Sequence, residues 1–429
     1  MNDLIHLKRL SAVKSNGGVK FLTPAAFPGN HCPMHTALAL SSNIKGMSTL
    51  LVGTAECGNY SRSIVEKNQS GDNSLHWTYV LDSNEVVFGC RKGLIEAIKE
   101  METSGAHAIM VISTCVPEVI GEDIEGIIHE VQPKTDVRLN YVQMPHFKCN
   151  SYPSGFWKTL KAFGGMMEPL KRNPQIVNVL GRSGEEDHIP MPELLQALEK
   201  REITLRYLAP KSDVMDFIAA PDAAMNLVLS PYMNPLAEYM KERFDVPYIS
   251  MHEVYDISGI DSLHMEIARI LGITWGDDFN NYKETVSSLE MVAQKLVNNL
   301  RYVTTHRNIL MVLPLALYLE KLGMEPLLLH MEEFYPDDKK WSKKLLEKGV
   351  NPFICHMVNE VSDAIVLEEI CPDVSFGEIP GGSDVIPCVT HLSQLYGQIG
   401  YERTELLLRQ LITAMTPQEK RGDDINGIT

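Results

Sequence analysis

The most informative stretch of the chain runs from residue 108 to residue 128 and reads AIMVISTCVPEVIGEDIEGII. Its first five residues form a continuous apolar run, which is typical of a strand buried on both faces of a parallel sheet. After Cys115, apolar residues recur at helical spacing at Ile124, Ile127 and Ile128. A strand followed at once by a helix predicts a parallel sheet with right-handed crossovers.

The same alternation of strand-like and helix-like runs recurs along the whole chain. Further strands are predicted over 47–53, 137–142, 176–180, 225–229, 247–250, 309–313, 327–329, 364–367 and 386–389. The pattern predicts an α/β protein with three units of similar design. We expect an N-terminal arm over 1–20 and α/β domains over 21–168, 169–300 and 301–429, the last with a C-terminal helix and tail.

Composition excludes several classes of protein. Of the 429 residues, 44% are hydrophobic and 22% charged, so the chain can bury a globular core and is not globally disordered. No apolar run approaches the roughly 18 residues of a membrane span, and a cytoplasmic location is expected. The net charge is −16, which argues against nucleic acid and anionic membranes as partners.

Three cysteines in the first third of the chain share a local context. Cys32 lies in PGNHCPMH, just before a helical run, whereas Cys57 and Cys115 each follow a predicted buried strand. Parallel sheets present functional groups at the carboxyl ends of their strands. Thiolates there, with backbone N–H groups nearby, suit an iron–sulfur cluster.

The cysteine pattern also has simpler interpretations. Free cysteine is among the most buried residue types, so all three could be small core residues. Soft thiolates also bind zinc, although the chain has no CxxC pair of the kind found in zinc ribbons and ferredoxins. The residues alone leave these alternatives open.

Several segments together resemble the nitrogenase component 1 family. HCPMHTAL, AECGNYSRS and STCVPEVIGEDIEGII resemble the segments around its three cluster cysteines. DSNEVVFGCRKGLIEAI resembles its acidic segment with a paired glycine before a helix, and MPHFKCNSYPSGFWKTL resembles the loop after the next strand. IPCVTHLSQLYGQIGYERTELLLRQL is similar to its last strand and closing helix. The order of these motifs makes the resemblance specific.

The resemblance implies a fold, a cofactor and partners. Family members consist of three Rossmann-like parallel-sheet domains and pair with a second component 1 chain, identical or homologous, near an iron–sulfur cluster. Most receive electrons from an ATP-dependent reductase that carries a [4Fe–4S] cluster. The chain itself has no P-loop motif, so it is not that ATPase. The cluster expected here is [4Fe–4S] or [8Fe–7S], and a second metallocofactor or a tetrapyrrole substrate is compatible with the family.

Carried over by position, the resemblance assigns Cys32, Cys57 and Cys115 as cluster ligands, with a spacing nearest the β-type subunit of nitrogenase. Cys149 is a further candidate ligand, although the alignment there slips by one residue and leaves 150 and 151 open as well. Phe88 falls on the family phenylalanine near the docking face for the reductase. The alternative for Phe88 is a core aromatic residue.

The chain departs from the family pattern at two places. The second glycine of the paired glycine is Cys90. The cysteine that holds the iron–molybdenum cofactor in the catalytic subunit is matched by Ser230 within MNLVLSPYMNPLAEYM. A serine alkoxide forms far less readily than a thiolate at neutral pH. His391 and Cys388 are the remaining candidate cofactor neighbours.

The sequence therefore favours a subunit of a nitrogenase-like two-component oxidoreductase, which would pass electrons through an iron–sulfur cluster to a substrate or metallocofactor. The alternative is a scaffold subunit for assembly of a nitrogenase-type cofactor that is not itself a reductase. A third interpretation is a plain α/β binding protein whose cysteines are buried thiols.

Overall fold

A computed structural model of the chain describes residues 7–14, 32–67, 74–148, 152–182, 189–209, 211–305, 311–331, 334, 336–355, 360–379, 386–390, 392–395 and 397–416. The chain divides into two compact units. The larger unit comprises residues 27–252 and 262–276. The C-terminal unit comprises residues 1–26, 253–261 and 277–429.

Strands and helices alternate through both units. In chain order the strands are β1 Lys8–Arg9, β2 Met47–Gly53, β3 His76–Val80, β4 Ala108–Ser113, β5 Arg138–Gln143, β6 Asn173–Leu180, β7 Thr204–Leu208, β8 Ala223–Val228, β9 Tyr248–Ser250, β10 Arg301–Thr304, β11 Glu325–His330, β12 Phe353–Cys355, β13 Val374–Phe376 and β14 Cys388–Val389. The α-helices are α1 Pro33–Ser42, α2 Ala55–Lys67, α3 Ser83–Phe88, α4 Arg91–Thr103, α5 Cys115–Ile120, α6 Ile124–Val131, α7 Tyr152–Ala162, α8 Glu193–Glu199, α9 Val214–Ala219, α10 Asn234–Phe244, α11 Ile257–Leu271, α12 Asn280–Val297, α13 Val312–Lys321, α14 Asp338–Glu347, α15 Glu360–Ile370 and α16 Gly400–Met415.

The first sheet of the larger unit has the order β3-β2-β4-β5, and all its strand pairs are parallel. The two central strands, β2 and β4, are buried at every residue, as their largely apolar sequences predict. Alternate residues of β4 enter different cores. Met110 and Ile112 belong to one core cluster, and Ile109 and Val111 belong to the other.

The second sheet of the larger unit has the order β7-β6-β8-β9 and is also parallel. One hydrophobic cluster contains residues of both sheets, including Met110 from β4 and Val228 from β8. The two sheets of this unit therefore share a core.

The C-terminal unit contains a six-stranded sheet with the order β1-β12-β11-β10-β13-β14. Its strand pairs are parallel except that β1 pairs antiparallel with β12. Residues 8 and 9, within the predicted N-terminal arm, thus form its edge strand. Three mostly parallel sheets with helical crossovers confirm the predicted fold class.

Two predicted strands of the last third are wrong. Val312 and Leu313, at the end of the predicted strand 309–313, begin helix α13, and the strand lies earlier, at β10. Residues 364–367 lie inside helix α15. Both predictions rested on short apolar runs, which fit a buried helix and a buried strand equally well.

Among the described residues, no helix is both long enough and apolar enough to cross a membrane.

Candidate functional site

Cys57 and Cys115 lie just beyond the carboxyl ends of two strands of the first sheet. Cys57 is the third residue of α2, which follows β2, and Cys115 is the first residue of α5, which follows β4. The two strands are parallel neighbours, with Val52 opposite Ser113. Neighbouring parallel strands have their carboxyl ends together. Both helices therefore begin at this end of the sheet, and the two cysteines lie there.

Gly53 allows the carboxyl ends of β2 and β4 to lie close together. The Thr114 hydroxyl donates a hydrogen bond of 3.0 Å to the Val52 carbonyl. A Cβ atom on Gly53 would lie only 2.2 Å from the Thr114 oxygen, so no larger residue fits there without a shift. The close approach of the two strand ends therefore depends on Gly53.

Cys32 belongs to the same core. It directly precedes α1 in extended conformation, and Pro33 starts the helix, a position proline favours. Cys32 and Cys57 both pack against the core cluster that contains Met110 and Ile112. All three cysteines are free and partly buried.

Each of the three sulfurs lies beside hydrogen-bond donors. The Thr54 hydroxyl lies 3.6 Å from the Cys57 Sγ, and the His146 backbone N–H donates to the Cys115 Sγ at 3.3 Å. Polar hydrogens directed at sulfur stabilise negative charge on it, as around iron–sulfur clusters.

The electrostatics of Cys32 indicate that the three thiols are neighbours. Burial raises the pKa of the Cys32 thiol, and the charges of Cys115 and Cys57 raise it further, against the lowering effect of the Met34 and His35 N–H groups. Like charges act in this way only when they are close. Cys32 therefore lies within electrostatic range of Cys57 and Cys115, the other two cysteines that the sequence analysis singled out.

The described residues contain no set of three His, Cys, Asp or Glu side chains arranged to hold one metal ion. In an iron–sulfur cluster each thiolate binds a different iron, so the ligands do not converge on one ion. The donor set of three soft, partly buried sulfurs fits such a cluster.

Phe88 is highly exposed and is not a core residue. It ends the short helix α3, which a capping box between Asp82 and Glu85 fixes at its start. The Phe88 side chain is 84% exposed, and the neighbouring Val87 and, on the adjacent α5, Val119 are exposed as well. We call Val87, Phe88 and Val119 the apolar patch.

Cys90 packs in a different core cluster from Cys32 and Cys57. It is 1% exposed and packs in the core cluster that contains Ile109 and Val111, which point from β4 to the face opposite Met110. Burial, with a smaller effect from the Glu122 carboxylate, raises the pKa of Cys90 to about 12.

The remaining candidates are spread over the molecule. Cys149 and His391 lie outside the described residues. Cys388 lies in β14 of the C-terminal unit, where its thiol donates to the Ile386 carbonyl at 3.3 Å. Ser230 lies two residues after the end of β8 and is 8% exposed. It packs closely against Gly181, because a Cβ atom added to Gly181 would lie 2.5 Å from the Ser230 Cβ.

Sequence reasoning missed Glu118. It lies one helical turn after Cys115 on α5, and its side chain is 4% exposed. Burial raises the pKa of this carboxyl, but three hydrogen bonds from neighbouring side chains outweigh that effect and hold it below the ordinary value. The only signal in the sequence was its spacing of three residues from Cys115.

A family model described as nitrogenase component 1 type oxidoreductase matches residues 32–416. The chain belongs to this family. The match begins at Cys32 and covers the motifs on which the predicted resemblance rested, so that prediction is confirmed.

Relatives with curated names match over part of their length. The nitrogenase iron-molybdenum cofactor biosynthesis protein NifE of Clostridium pasteurianum is 28% identical over 230 residues, which are 52% of this chain and 50% of that protein. The protein of the same name from Methanococcus maripaludis is 25% identical over 291 residues, 65% of this chain and 57% of that protein. The chain thus spans about half the length of these relatives.

Solved structures match over nearly the whole chain. A structure titled "Nitrogenase Cp1 at pH 6.5" aligns with a TM-score of 0.68 and 14% identity, covering 95% of this chain and 98% of its own. A second, "Nitrogenase Cp1 at pH 5", aligns with a TM-score of 0.60 and 18% identity, covering 94% and 91%. At these identities the likeness concerns the fold alone.

Proposed function

We propose that the chain is a scaffold subunit for the assembly of a nitrogenase-type metallocofactor and that it binds an iron–sulfur cluster through Cys32, Cys57 and Cys115. The observation that carries the proposal is the grouping of three free, partly buried thiols at the edge of the first sheet, each beside a hydrogen-bond donor.

The chain's own residues would hold and tune the cluster. Three thiolates would bind iron, while the His146 N–H and the Thr54 hydroxyl would stabilise the negative charge on the sulfurs. When bound, an iron–sulfur cluster supplies reversible one-electron chemistry. A second component 1 chain, identical or homologous, would complete the site, and Cys149, which lies outside the described residues, is a further proposed ligand.

Ser230 favours a scaffold over a catalytic subunit. The resemblance places a cofactor cysteine of the catalytic subunit at this position, and serine is a poor replacement for a thiolate. The relatives named as cofactor biosynthesis proteins support the same choice.

The second candidate function is a subunit of a nitrogenase-like two-component reductase. It is favoured by Phe88, whose exposure suits a docking contact for an ATP-dependent iron–sulfur reductase. Large apolar side chains exposed in a patch commonly mark a protein interface.

Turnover separates the two functions. The anaerobically purified chain, with its partner chain, would be supplied with an ATP-dependent iron–sulfur reductase, ATP and a low-potential reductant. A scaffold is expected to show no substrate-dependent ATP use and to transfer iron and sulfide to cofactor-free nitrogenase component 1. Substrate-dependent ATP use without such transfer would contradict the scaffold and support the reductase.

A further inference from the structure

Glu118 is a buried carboxylate directly beside the proposed cluster site. It follows Cys115 by three residues on α5, so it lies one turn further along the same helix. Its side chain is 4% exposed. A buried carboxylate is costly unless it is paired and hydrogen-bonded, so its partners indicate its role.

The partners of Glu118 come from three different elements. The Ser113 hydroxyl at the end of β4 donates at 2.5 Å, and the Tyr141 hydroxyl on β5 donates at 2.8 Å. The Lys148 ammonium donates at 2.9 Å to the second carboxylate oxygen. The carboxylate therefore ties the cysteine-bearing helix to two strands and to the turn that follows β5.

The turn held by Lys148 also contacts Cys115. Residues 146–148 form one 3-10 turn, in which the His146 N–H donates to the Cys115 Sγ at 3.3 Å. The Lys148 carbonyl in turn accepts a hydrogen bond of 3.2 Å from Lys158 on α7. A closed ring of contacts thus runs from Cys115 through Glu118 and Lys148 back to the Cys115 sulfur.

We propose that Glu118 is a positioning residue for Cys115, which acts through Lys148 to hold the 146–148 turn so that the His146 N–H remains on the Cys115 sulfur. The inference rests on the proposed function, because it takes Cys115 as a cluster ligand. The hydrogen bonds of the Glu118 carboxylate are to Ser113, Tyr141 and Lys148. Partners of metal ligands that act in this way commonly affect metal affinity by roughly 10-fold to 100-fold.

The test uses Lys148, whose side chain is 45% exposed and tolerates substitution better than Glu118. Lys148→Met removes the ion pair with Glu118, and Lys148→Arg preserves it. The double variant Glu118→Gln/Lys148→Met also removes the ion pair. It leaves the net charge of the two positions at zero, as in the wild type. The matched control is Lys134→Met, because Lys134 forms an exposed ion pair with Glu130 in the same sheet domain.

The measurements are the rate of iron loss to a chelator, the reduction potential and the visible circular dichroism of the cluster. We expect roughly 10-fold faster iron loss for Lys148→Met and for the double variant. We also expect a lower potential in both, since a lost N–H···S bond disfavours the reduced cluster. Lys148→Arg and Lys134→Met should match the wild type. Wild-type potential, spectrum and iron retention in the double variant would overturn the proposal.

Hydrogen exchange on the iron-free chain tests the inference apart from the cluster. The His146 amide should exchange faster in Lys148→Met than in the wild type, because its hydrogen bond to Cys115 is loosened. Unchanged exchange would contradict the positioning role. A wild-type chain that binds no iron would instead contradict the proposed function, so the two failures are distinct.

Discussion

Three cysteine side chains carry the proposed chemistry at the scale of single residues. Replacing Cys32, Cys57 or Cys115 by alanine is expected to remove most of the bound iron, since each thiolate would hold one iron. The control is Cys371→Ala, because Cys371 is exposed and lies in the C-terminal unit. Iron per chain measured after anaerobic purification checks the prediction. Full iron content in all three variants would contradict the ligand assignment.

For Cys90 we predict an effect on stability and none on bound iron. Its burial in the core cluster with Ile109 and Val111 indicates a packing role. Cys90→Ala should lower the free energy of unfolding by about 1 kcal/mol, because it removes a small buried group. Bound iron should be unchanged. Denaturant unfolding together with an iron assay checks both parts, and a loss of iron at full stability would make Cys90 a ligand.

The raised pKa of Cys90 also predicts a pH dependence. Burial on folding raises the pKa of the Cys90 thiol from 9.0 to about 12. The unfolded state therefore loses its proton first as the pH rises, and the stability associated with Cys90 is present below pH 9.0 and is lost between pH 9.0 and about 12. Cys90→Ala should unfold with a shallower loss of stability over this range. An identical slope in both proteins would contradict the prediction.

At this scale the sequence predicts some functional residues and misses others for a physical reason. Cys57 and Cys115 could be predicted because each follows a largely apolar strand, which is a local signal. The role of Glu118 depends on Lys148, which the fold brings beside it from the next strand connection. No local pattern encodes such a pairing. The exposure of Phe88 likewise depends on how α3 lies on the surface.

At the scale of elements, α3 and α5 present the apolar patch of Val87, Phe88 and Val119. Under the second candidate function, Phe88→Ala is expected to weaken binding of an ATP-dependent iron–sulfur reductase by about 2 kcal/mol, roughly thirtyfold in Kd, as for an aromatic anchor residue. Its matched control is Met291→Ala, an exposed apolar residue on α12 of the C-terminal unit. Binding isotherms measured under anaerobic conditions check the prediction. Equal Kd values for both variants would exclude the patch as the docking surface.

The accuracy of element prediction follows from the length of each apolar run. Strands β2 and β4 are predicted to the residue, because each is a long run closed by a glycine or by polar residues. In the last third, the run before Pro314 continues into further apolar residues and forms the buried helix α13. A run that is apolar on all sides carries no period, so only tertiary packing separates the two structures.

At the scale of the whole molecule, three mostly parallel sheets lie in two compact units. The sheets β3-β2-β4-β5 and β7-β6-β8-β9 share a core cluster within the larger unit. The division into domains at 168 and 300 stays a prediction, which limited proteolysis followed by mass spectrometry would test. Family membership and fold rest on independent comparisons, of sequence over residues 32–416 and of structure over 95% of the chain.

The most direct test is an iron and acid-labile sulfide count combined with Mössbauer spectroscopy on the wild-type protein, purified without exposure to air. The account predicts iron and sulfide in cluster proportions, a spectrum of tetrahedral sulfur-coordinated iron, and the loss of both in the triple variant Cys32→Ala/Cys57→Ala/Cys115→Ala. A colourless, iron-free wild-type protein, or a triple variant with the same spectrum as the wild type, would contradict it.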